Sequence, residues 1–230
     1  MLIAAVGDVH SPRYLSLFRQ ALSNITRKPD IMLLAGDMIY RGLISEYATV
    51  LKTIEEFVGS DLKIYACFGN EEFENKRESL RKIYGEKIKF LDDEAEYIQT
   101  NQRVIAICGT QGSLYRPTGW QAKHIPGIAE RYRRRIETVS KIIEESWKHA
   151  DVVILLMHYA PSFKVMIGEK KSAYPWLGHP GFEKVIIEKK PSIVFYAHLH
   201  NAKIKEYELG GVKLYNVSLP ATQKITLTEL

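Results

Sequence analysis

The chain has few of the features that mark exported, membrane-spanning or disulfide-bonded proteins. Only two cysteines, Cys67 and Cys108, occur in 230 residues, and both lie in apolar stretches. Two cysteines do not make a disulfide framework, so we expect two buried thiols. No apolar run approaches the roughly 20 residues that a membrane span needs. The N-terminus leads straight into a strand-like segment. We therefore expect a cytoplasmic protein with no membrane association.

Linker-like segments and a strong charge of one sign are also missing. No stretch rich in proline, glycine and serine divides the chain, which predicts a single domain over residues 1–230. The 32 basic residues exceed the 27 acidic ones by a net charge of +5. This excess favours a small anionic ligand and gives only weak support to a nucleic-acid partner. The sequence leaves a homo-oligomer open.

Apolar runs bounded by turn residues dominate the pattern, and they predict buried β-strands. The predicted strands lie near residues 2–6, 31–35, 62–68, 103–108, 152–157 and 192–197, with shorter ones near 203–208, 212–217 and 223–228. Ser11 and Pro12 are typical of an N-cap and first turn, and they predict a helix that runs to about Ile25. Apolar spacing predicts further helices over 43–57, 72–84, 128–149 and 180–189. This order of elements indicates an α/β protein with mixed sheets.

Five of the apolar runs end in residues that commonly ligate metals. The segments read LIAAV-GDVH, IMLLA-GDM, IYACF-GNEE, VVILLM-H and SIVFYA-HLH. Ligands of open α/β sheets bind beyond the strand ends, so these side chains are expected to meet in one pocket. The predicted metal ligands are Asp8, His10, Asp37, Asn70, His158, His198 and His200. Seven donors are too many for one zinc ion and suit two metal ions.

The donor types indicate which metals the site prefers. Mixed oxygen and imidazole donors favour Mn, Fe, Zn or Co over Mg or Ca, so we expect two divalent transition-metal ions. A carboxylate such as Asp37 has two oxygens and is able to bridge both ions. Gly7, Gly36 and Gly69 precede ligand clusters, where a missing side chain lets the backbone turn and approach the metals. A lone Asp after Gly is usually a turn residue and HxH alone is a weak signal, but five ordered clusters together indicate a metal site.

The order GDxH, GD, GN, H, HxH resembles the calcineurin-like metallophosphoesterase superfamily from Gly7 to His200, and KPDIMLLAGD and KPSIVFYAHLH extend the resemblance. The resemblance implies a four-layer α/β/β/α sandwich of two mixed sheets flanked by helices, with a dinuclear metal site at the strand ends. It also implies a ligand assignment. Asp8, His10, Asp37 and His200 would hold one ion, and Asp37, Asn70, His158 and His198 the other. The implied chemistry is attack on a phosphate ester by a hydroxide that bridges the two ions.

One position departs from the family pattern. Most members read GNH followed by Asp or Glu, whereas this chain reads Gly69-Asn70-Glu71-Glu72. The family histidine helps to protonate the leaving group, and an ionised glutamate is a poor acid. Glu71 therefore has three interpretations: the enzyme acts on substrates with acidic leaving groups, Glu71 contacts the substrate or holds a basic residue in place, or activity has been lost in favour of binding. The predicted catalytic residues are Asp37, Asn70, Glu71 and His158.

A basic and aromatic segment, residues 110–136, separates two predicted strands. Arg116 and Trp120 in this segment are candidate substrate contacts, because basic and aromatic side chains bind phosphates and bases. His179, ahead of a predicted helix, is a further candidate that would supply the missing proton; a structural or surface role explains it equally well. The run Arg131, Arg133, Arg134 and Arg135 has helical apolar spacing behind it, which favours a solvated helix face paired with glutamates.

These patterns predict a metal-dependent phosphoesterase that hydrolyses phosphodiester or pyrophosphate bonds of a small, nucleotide-like substrate. Phosphomonoester hydrolysis remains open, because the site does not fix how many ester arms the phosphate carries. A non-catalytic scaffold of the same fold that binds a protein partner is the main alternative, favoured by Glu71 and opposed by the intact ligand set. A nuclease is less favoured, because the chain lacks a broad basic surface.

Overall fold

The computed structural model describes all 230 residues and contains eleven β-strands. They are β1 (Leu2–Val6), β2 (Ile31–Ala35), β3 (Lys63–Cys67), β4 (Ile88–Leu91), β5 (Glu94–Gln99), β6 (Val104–Thr110), β7 (Val152–Met157), β8 (Ile193–Tyr196), β9 (Glu206–Leu209), β10 (Val212–Asn216) and β11 (Thr226–Glu229). One sheet has the order β11-β1-β2-β3-β4, and the other has the order β5-β6-β7-β8-β10-β9. Both sheets are mixed. Strands β1 to β4 run parallel with β11 antiparallel, and β6, β7, β8 and β10 run parallel between antiparallel β5 and β9.

Seven α-helices connect and cover these strands. They are α1 (Leu15–Ser23), α2 (Glu46–Phe57), α3 (Glu74–Tyr84), α4 (Gly119–His124), α5 (Ile128–Ser146), α6 (Gly181–Lys189) and α7 (Leu219–Thr222). Short 3₁₀ segments cover Phe163–Val165 and Lys171–Trp176. Helices α1 to α3 share an apolar core with the outer face of the first sheet, and α5 and α6 do the same for the second.

A third apolar core joins the inner faces of the two sheets. It contains Ile3 and Leu33 of the first sheet together with Ile107, Ile154 and Phe195 of the second. The central strands are buried on both faces, which explains why they read as continuous apolar runs rather than alternating ones. The result is the predicted four-layer α/β/β/α sandwich. The parallel strands of each sheet end at one edge, where the ligand clusters lie.

The strands that deliver the ligands match their predicted ranges closely. Strands β4 and β5 and helices α4 and α7 were not predicted. β4 and α7 have four residues each and α4 has six, which is too short to show a period, and β5 is polar and half-exposed. The predicted start of the first helix is wrong. Helix α1 begins at Leu15, and the Ser11 hydroxyl donates a hydrogen bond to Glu46 (2.6 Å) instead of capping the helix.

The two cysteines are free and buried, as predicted. None of the helices combines the length and the apolar character that a membrane-crossing segment requires.

Candidate metal centre

Four of the predicted ligands have a left-handed backbone conformation, which residues other than glycine rarely adopt. The φ angles of Asp8, His10, Asp37 and His198 are 57°, 43°, 51° and 68°. Left-handed backbone costs a non-glycine residue free energy and persists only where the surroundings enforce it. Such strain at four predicted ligands indicates that the loops are shaped for function rather than for stability.

Two glycines allow the loops after β2 and β3 to touch. Gly36 has a φ of +79°, and a Cβ there would lie 2.5 Å from the Gly69 nitrogen. A Cβ at Gly69 would lie 2.1 Å from the Asp37 carboxylate. Only glycine at these two positions lets Asp37 lie this close to the loop that carries Asn70.

Asp8, His10 and His200 form one group of potential metal ligands. The Nε2 atoms of the two histidines lie 3.3 Å apart. The Asp8 Oδ1 atom lies 3.8 Å from His10 Nε2 and 3.5 Å from His200 Nε2. Three donor atoms therefore converge on one point from the loops after β1 and β8.

Asp37, His158 and His198 form a second group, which also includes Asp8. The His158 Nδ1 atom faces the Ala35 carbonyl at 2.9 Å, which leaves Nε2 as the donor toward the site. That Nε2 lies 3.5 Å from Asp37 Oδ2 and 3.2 Å from the Asn70 side-chain oxygen. One ring nitrogen of His198 faces the Trp176 carbonyl at 3.4 Å, so the other is left for the site.

The residues present fit two cations. Asp8 Oδ1 is a buried carboxylate oxygen with no hydrogen-bond partner, as expected for a ligand atom. Asp37 Oδ2 lies between the groups, 3.8 Å from His10 and 3.5 Å from His158. The implied assignment made Asp37 the shared ligand, and the structure adds that Asp8 lies within reach of both groups.

The ionisation of these residues also favours cations. Burial lowers the pKa of His10 to about 4 and that of His198 to about 3. Both rings are therefore neutral near pH 7 and free to ligate. Burial, followed by the nearby Glu72 and Asp8 carboxylates, raises the pKa of Asp37 well above its usual value. A positive charge placed among these carboxylates would relieve that repulsion.

Glu72 is a structural part of the site that sequence reasoning noted only as the end of a motif. Its buried carboxylate accepts hydrogen bonds from the backbone N–H groups of Asp37 (2.7 Å), Met38 (2.8 Å) and Gly69 (2.8 Å), and from the Tyr47 hydroxyl (3.2 Å). One carboxylate thus ties the loop after β2 to the loop after β3. Its position directly after Asn70 and Glu71 was the only signal in the sequence.

Arg77 and Gln111 fix the same loop from the other side, and neither was predicted. The Gly69 carbonyl accepts a hydrogen bond from the Gln111 amide (3.0 Å) and a longer one from Arg77 (3.5 Å). Arg77 is in turn paired with Asp92 at 3.0 Å. Isolated polar residues on a helix and a loop carry no motif, so only the fold reveals this support.

The Glu71 carboxylate is hydrogen-bonded to the loop after β2 and belongs to neither ligand group. Its carboxylate accepts a hydrogen bond from the backbone N–H of Arg41 at 2.5 Å, and its carbonyl accepts one from Gly42 at 2.9 Å. Its own N–H donates to Asp37 Oδ1 at 2.6 Å. Of the three interpretations of Glu71, the holding of a basic residue in place agrees with these contacts, which are made by the main chain of Arg41 and Gly42.

Two of the three candidate substrate contacts line one cleft. Arg116 and His179 border a cleft of about 310 Å³ together with Tyr115 and Tyr132. The His179 Nδ1 atom accepts the Gly181 N–H at 2.9 Å, which leaves Nε2 free. Trp120 lies outside this cleft, with an exposed ring that stacks on His124 at 4.8 Å.

The arginine run on α5 is mostly paired with carboxylates, as the helical spacing favoured. Arg131 pairs with Glu74, and Arg133 and Arg134 pair with Glu130. Arg135 differs from the expected solvated face. It is buried and pairs with Asp93 at 2.7 Å, because the helix turns it toward the loop before β5.

The fold and the ligand geometry define a class of protein, and comparison with known families identifies it. The model of the calcineurin-like phosphoesterase family matches residues 1–202. The chain therefore belongs to the calcineurin-like phosphoesterase family. No curated protein matches the sequence significantly.

Solved structures share the fold at low sequence identity. Phosphopantetheinyl hydrolase from Mycobacterium tuberculosis aligns with a TM-score of 0.70 and 15% identity, over 95% of this chain and 89% of its own. A putative 5'-nucleotidase from Staphylococcus aureus aligns with a TM-score of 0.60 and 14% identity, over 98% of this chain and 49% of its own. GAP50 of Plasmodium, described as the anchor in the inner membrane complex, aligns with a TM-score of 0.55 and 11% identity, over 96% of this chain and 72% of its own.

Proposed function

We propose that the protein is a metal-dependent hydrolase of phosphodiester or pyrophosphate bonds in a small, nucleotide-like substrate. One observation carries the proposal: Asp37 Oδ2 lies within 4 Å of a histidine from each ligand group, at 3.8 Å from His10 and 3.5 Å from His158. A carboxylate in this position would be shared by two ions. Two divalent ions at this site would acidify a water, clamp phosphate oxygens and neutralise charge that develops at phosphorus.

The residues around the ligands would orient the substrate and hold the pocket rigid. His158 is fixed by the Ala35 carbonyl, and Asp37 is fixed by the backbone N–H of Glu71. Asn70 presents a neutral oxygen 3.2 Å from His158, where a further charge would add to the repulsion among the carboxylates. Fixed donors of this kind need no reorganisation during the reaction.

The cleft beside Arg116 would receive the part of the substrate that lies away from the bond to be broken. Tyr132 on its wall belongs to one apolar cluster with Tyr159, and the Tyr159 ring lies 4.9 Å from the His198 ring. Tyr159 thus lies between the wall of the cleft and the second ligand group. The exposed Tyr115 ring and the Arg116 guanidinium would contact a planar base and a phosphate. His179 Nε2, which has no partner, would act as a hydrogen-bond donor to the same group.

A scaffold role is the second candidate function, and one observation favours it. Glu71 leaves the position of the family histidine without a proton donor, since its carboxylate accepts a hydrogen bond from the backbone N–H of Arg41. A protein-binding member of the fold would need no such donor. The scaffold would, however, gain nothing from four strained ligands and a buried carboxylate oxygen left without a partner.

Hydrolysis of two chromogenic esters tests the proposal. Metal-stripped protein is refilled with Mn²⁺, Zn²⁺, Fe²⁺ or Co²⁺ and assayed on bis(p-nitrophenyl) phosphate and p-nitrophenyl phosphate. We expect at least one metal to restore turnover, with kcat/KM about tenfold or more higher for the diester, a difference of about 1.4 kcal/mol in barrier. Faster turnover of the monoester would make the protein a phosphomonoesterase. Degradation of DNA with a steep dependence on salt would make it a nuclease.

A further inference from the structure

The guanidinium groups of three arginines have neither an ion-pair nor a hydrogen-bond partner, and all three lie in loops at the edge of the sheets that holds the metal ligands. Eight of the twelve arginines pair with a carboxylate, and Arg103 donates to the Leu230 carbonyl. The remaining ones are Arg13, Arg41 and Arg116, which are exposed and follow β1, β2 and β6. Unneutralised guanidinium groups collected at one edge favour an anionic ligand there.

Arg13 and Arg41 stand on two loops that are hydrogen-bonded to each other. The Ser11 N–H donates to the Met38 carbonyl at 2.9 Å, and the Tyr40 N–H donates to the Ser11 carbonyl at 3.1 Å. The loops after β1 and β2 are therefore joined into one hydrogen-bonded unit. The two guanidinium groups are carried on the same support as the metal ligands.

Each of these arginines is held against a tyrosine that contacts a metal ligand. The Arg13 guanidinium carbon lies 4.9 Å from the centre of the Tyr14 ring, and that of Arg41 lies 5.0 Å from the centre of the Tyr40 ring. The two tyrosine rings meet the His10 ring edge-on at 6.1 Å and 6.4 Å. Stacking on an aromatic face limits the conformations of each guanidinium group, so less entropy is lost when it binds an anion.

Glu71 fixes the backbone of Arg41. Arg41 has a φ of 49°, an unfavourable value for a residue with a long side chain. Its N–H donates to the Glu71 carboxylate at 2.5 Å, and the next residue, Gly42, donates to the Glu71 carbonyl at 2.9 Å. Both contacts hold the turn in the conformation that directs Arg41 over Tyr40. Glu71 is therefore a positioning residue for Arg41.

We propose that Arg13 and Arg41 bind a phosphate carried by the leaving group, so that the preferred substrate is a pyrophosphate such as a dinucleoside diphosphate. The inference deepens the proposed function and rests on it. Water oxygen bonds to one phosphorus, and the bond from that phosphorus to the bridging oxygen breaks. The bridging oxygen leaves with the electron pair as part of a phosphate monoester, and the protons of the water pass to solvent.

This chemistry accounts for a glutamate where the family has a proton-donating histidine. A departing phosphate is a weak base and leaves without a proton, whereas its added negative charge needs neutralisation. Two fixed guanidinium groups supply that neutralisation with charge-assisted hydrogen bonds. For such a leaving group, an ionised Glu71 that positions Arg41 would assist the reaction more than a proton donor would.

The test compares two substrates whose leaving groups are both weak bases but differ in charge. Diadenosine diphosphate releases a nucleotide, and bis(p-nitrophenyl) phosphate releases a phenolate without a phosphate. We expect Arg13→Ala and Arg41→Ala each to lower kcat/KM for diadenosine diphosphate by about 10-fold to 100-fold, as loss of a charged hydrogen bond does. The same variants should change kcat/KM for bis(p-nitrophenyl) phosphate by less than about threefold.

Arg27→Ala is the matched control, because Arg27 is exposed but pairs with Glu229 beside the opposite end of β1. Arg27→Ala should leave kcat/KM for both substrates unchanged. Equal losses on both substrates in the Arg13 and Arg41 variants, or no loss on either, would overturn the inference while wild-type turnover upholds the proposed function.

A binding measurement keeps the inference testable if no metal restores turnover. Calorimetry with adenosine monophosphate, on metal-free and metal-loaded protein, should show about tenfold weaker binding in Arg41→Ala than in wild type or Arg27→Ala. Identical affinity in all three proteins would contradict the anion site directly. Absence of turnover in wild type with retained, Arg41-dependent binding would instead overturn only the proposed hydrolysis.

Glu71 provides a separate test of positioning. Glu71→Gln keeps an oxygen for the Arg41 N–H and should retain most of the preference for diadenosine diphosphate. Glu71→Ala should lose that preference, and combining it with Arg41→Ala should cost no more than either change alone, because both act through one side chain. Additive losses in the double variant would show that Glu71 does not act through Arg41.

Discussion

Asp37→Asn should lower turnover of bis(p-nitrophenyl) phosphate by about 10³-fold or more at saturating metal, a barrier increase of about 4 kcal/mol, because the negative charge that two ions would share is lost. Asparagine keeps an oxygen for the Glu71 N–H, which lies 2.6 Å from Asp37 Oδ1. The change removes the negative charge from the oxygen between His10 and His158. Steady-state kinetics with metal content measured on the same sample gives the result.

The same variant should remain folded, which separates loss of chemistry from loss of structure. Burial and the carboxylates of Glu72 and Asp8 raise the pKa of Asp37, which means that its negative charge destabilises the metal-free protein. Metal-free Asp37→Asn should therefore melt at a temperature no lower than metal-free wild type. Asp61→Asn, at an exposed side chain, is the control for both measurements. Activity within tenfold of wild type would contradict the role given to Asp37.

Glu72→Ala should lower the free energy of unfolding by about 3–5 kcal/mol, because it leaves several buried backbone N–H groups without an acceptor. Three of those donors lie at 2.7–2.8 Å from the carboxylate. For a chain of this size the loss corresponds to a fall of about 10 °C in melting temperature. Metal affinity should fall as well, since Asp37 and Gly69 are no longer held together.

Glu72→Gln is expected to recover only part of this loss. Its amide oxygen replaces one carboxylate oxygen, but its amide nitrogen meets N–H donors where the other oxygen was an acceptor. Glu78→Gln, on the exposed face of the neighbouring helix α3, should change stability by less than about 0.5 kcal/mol. Differential scanning calorimetry of the three variants measures these changes. Equal stability of Glu72→Ala and wild type would contradict the proposal that Glu72 holds the loops after β2 and β3 together.

The sequence predicted the parts of the site that lie at the ends of continuous apolar strands. Asp8, Asp37 and His158 each follow a run of five or six apolar residues, so strand and ligand were visible together. Parallel pairing brings the end of β1 beside that of β2, and the end of β7 beside that of β8, which carries His198 and His200. The family resemblance added the layer order and the assignment of ligands to two groups.

The supporting contacts were beyond sequence reasoning, because they depend on residues brought together by the fold. Arg77 and Gln111 are 34 positions apart and meet at the Gly69 loop. Arg13 and Arg41 are recognised as a possible anion site only in the structure, which shows that their loops are hydrogen-bonded to each other and that most other arginines are paired. Arg135 was expected on a solvated face, and a buried partner, Asp93, explains its position instead.

The most direct test of the central claim is a titration of metal-stripped protein with Mn²⁺ while hydrolysis of bis(p-nitrophenyl) phosphate is followed. Two ligand groups that share carboxylates predict turnover that rises to a plateau near two equivalents of metal per chain. Tight binding of two ions without turnover, repeated with Zn²⁺, Fe²⁺ and Co²⁺, would contradict a phosphoesterase and favour the scaffold.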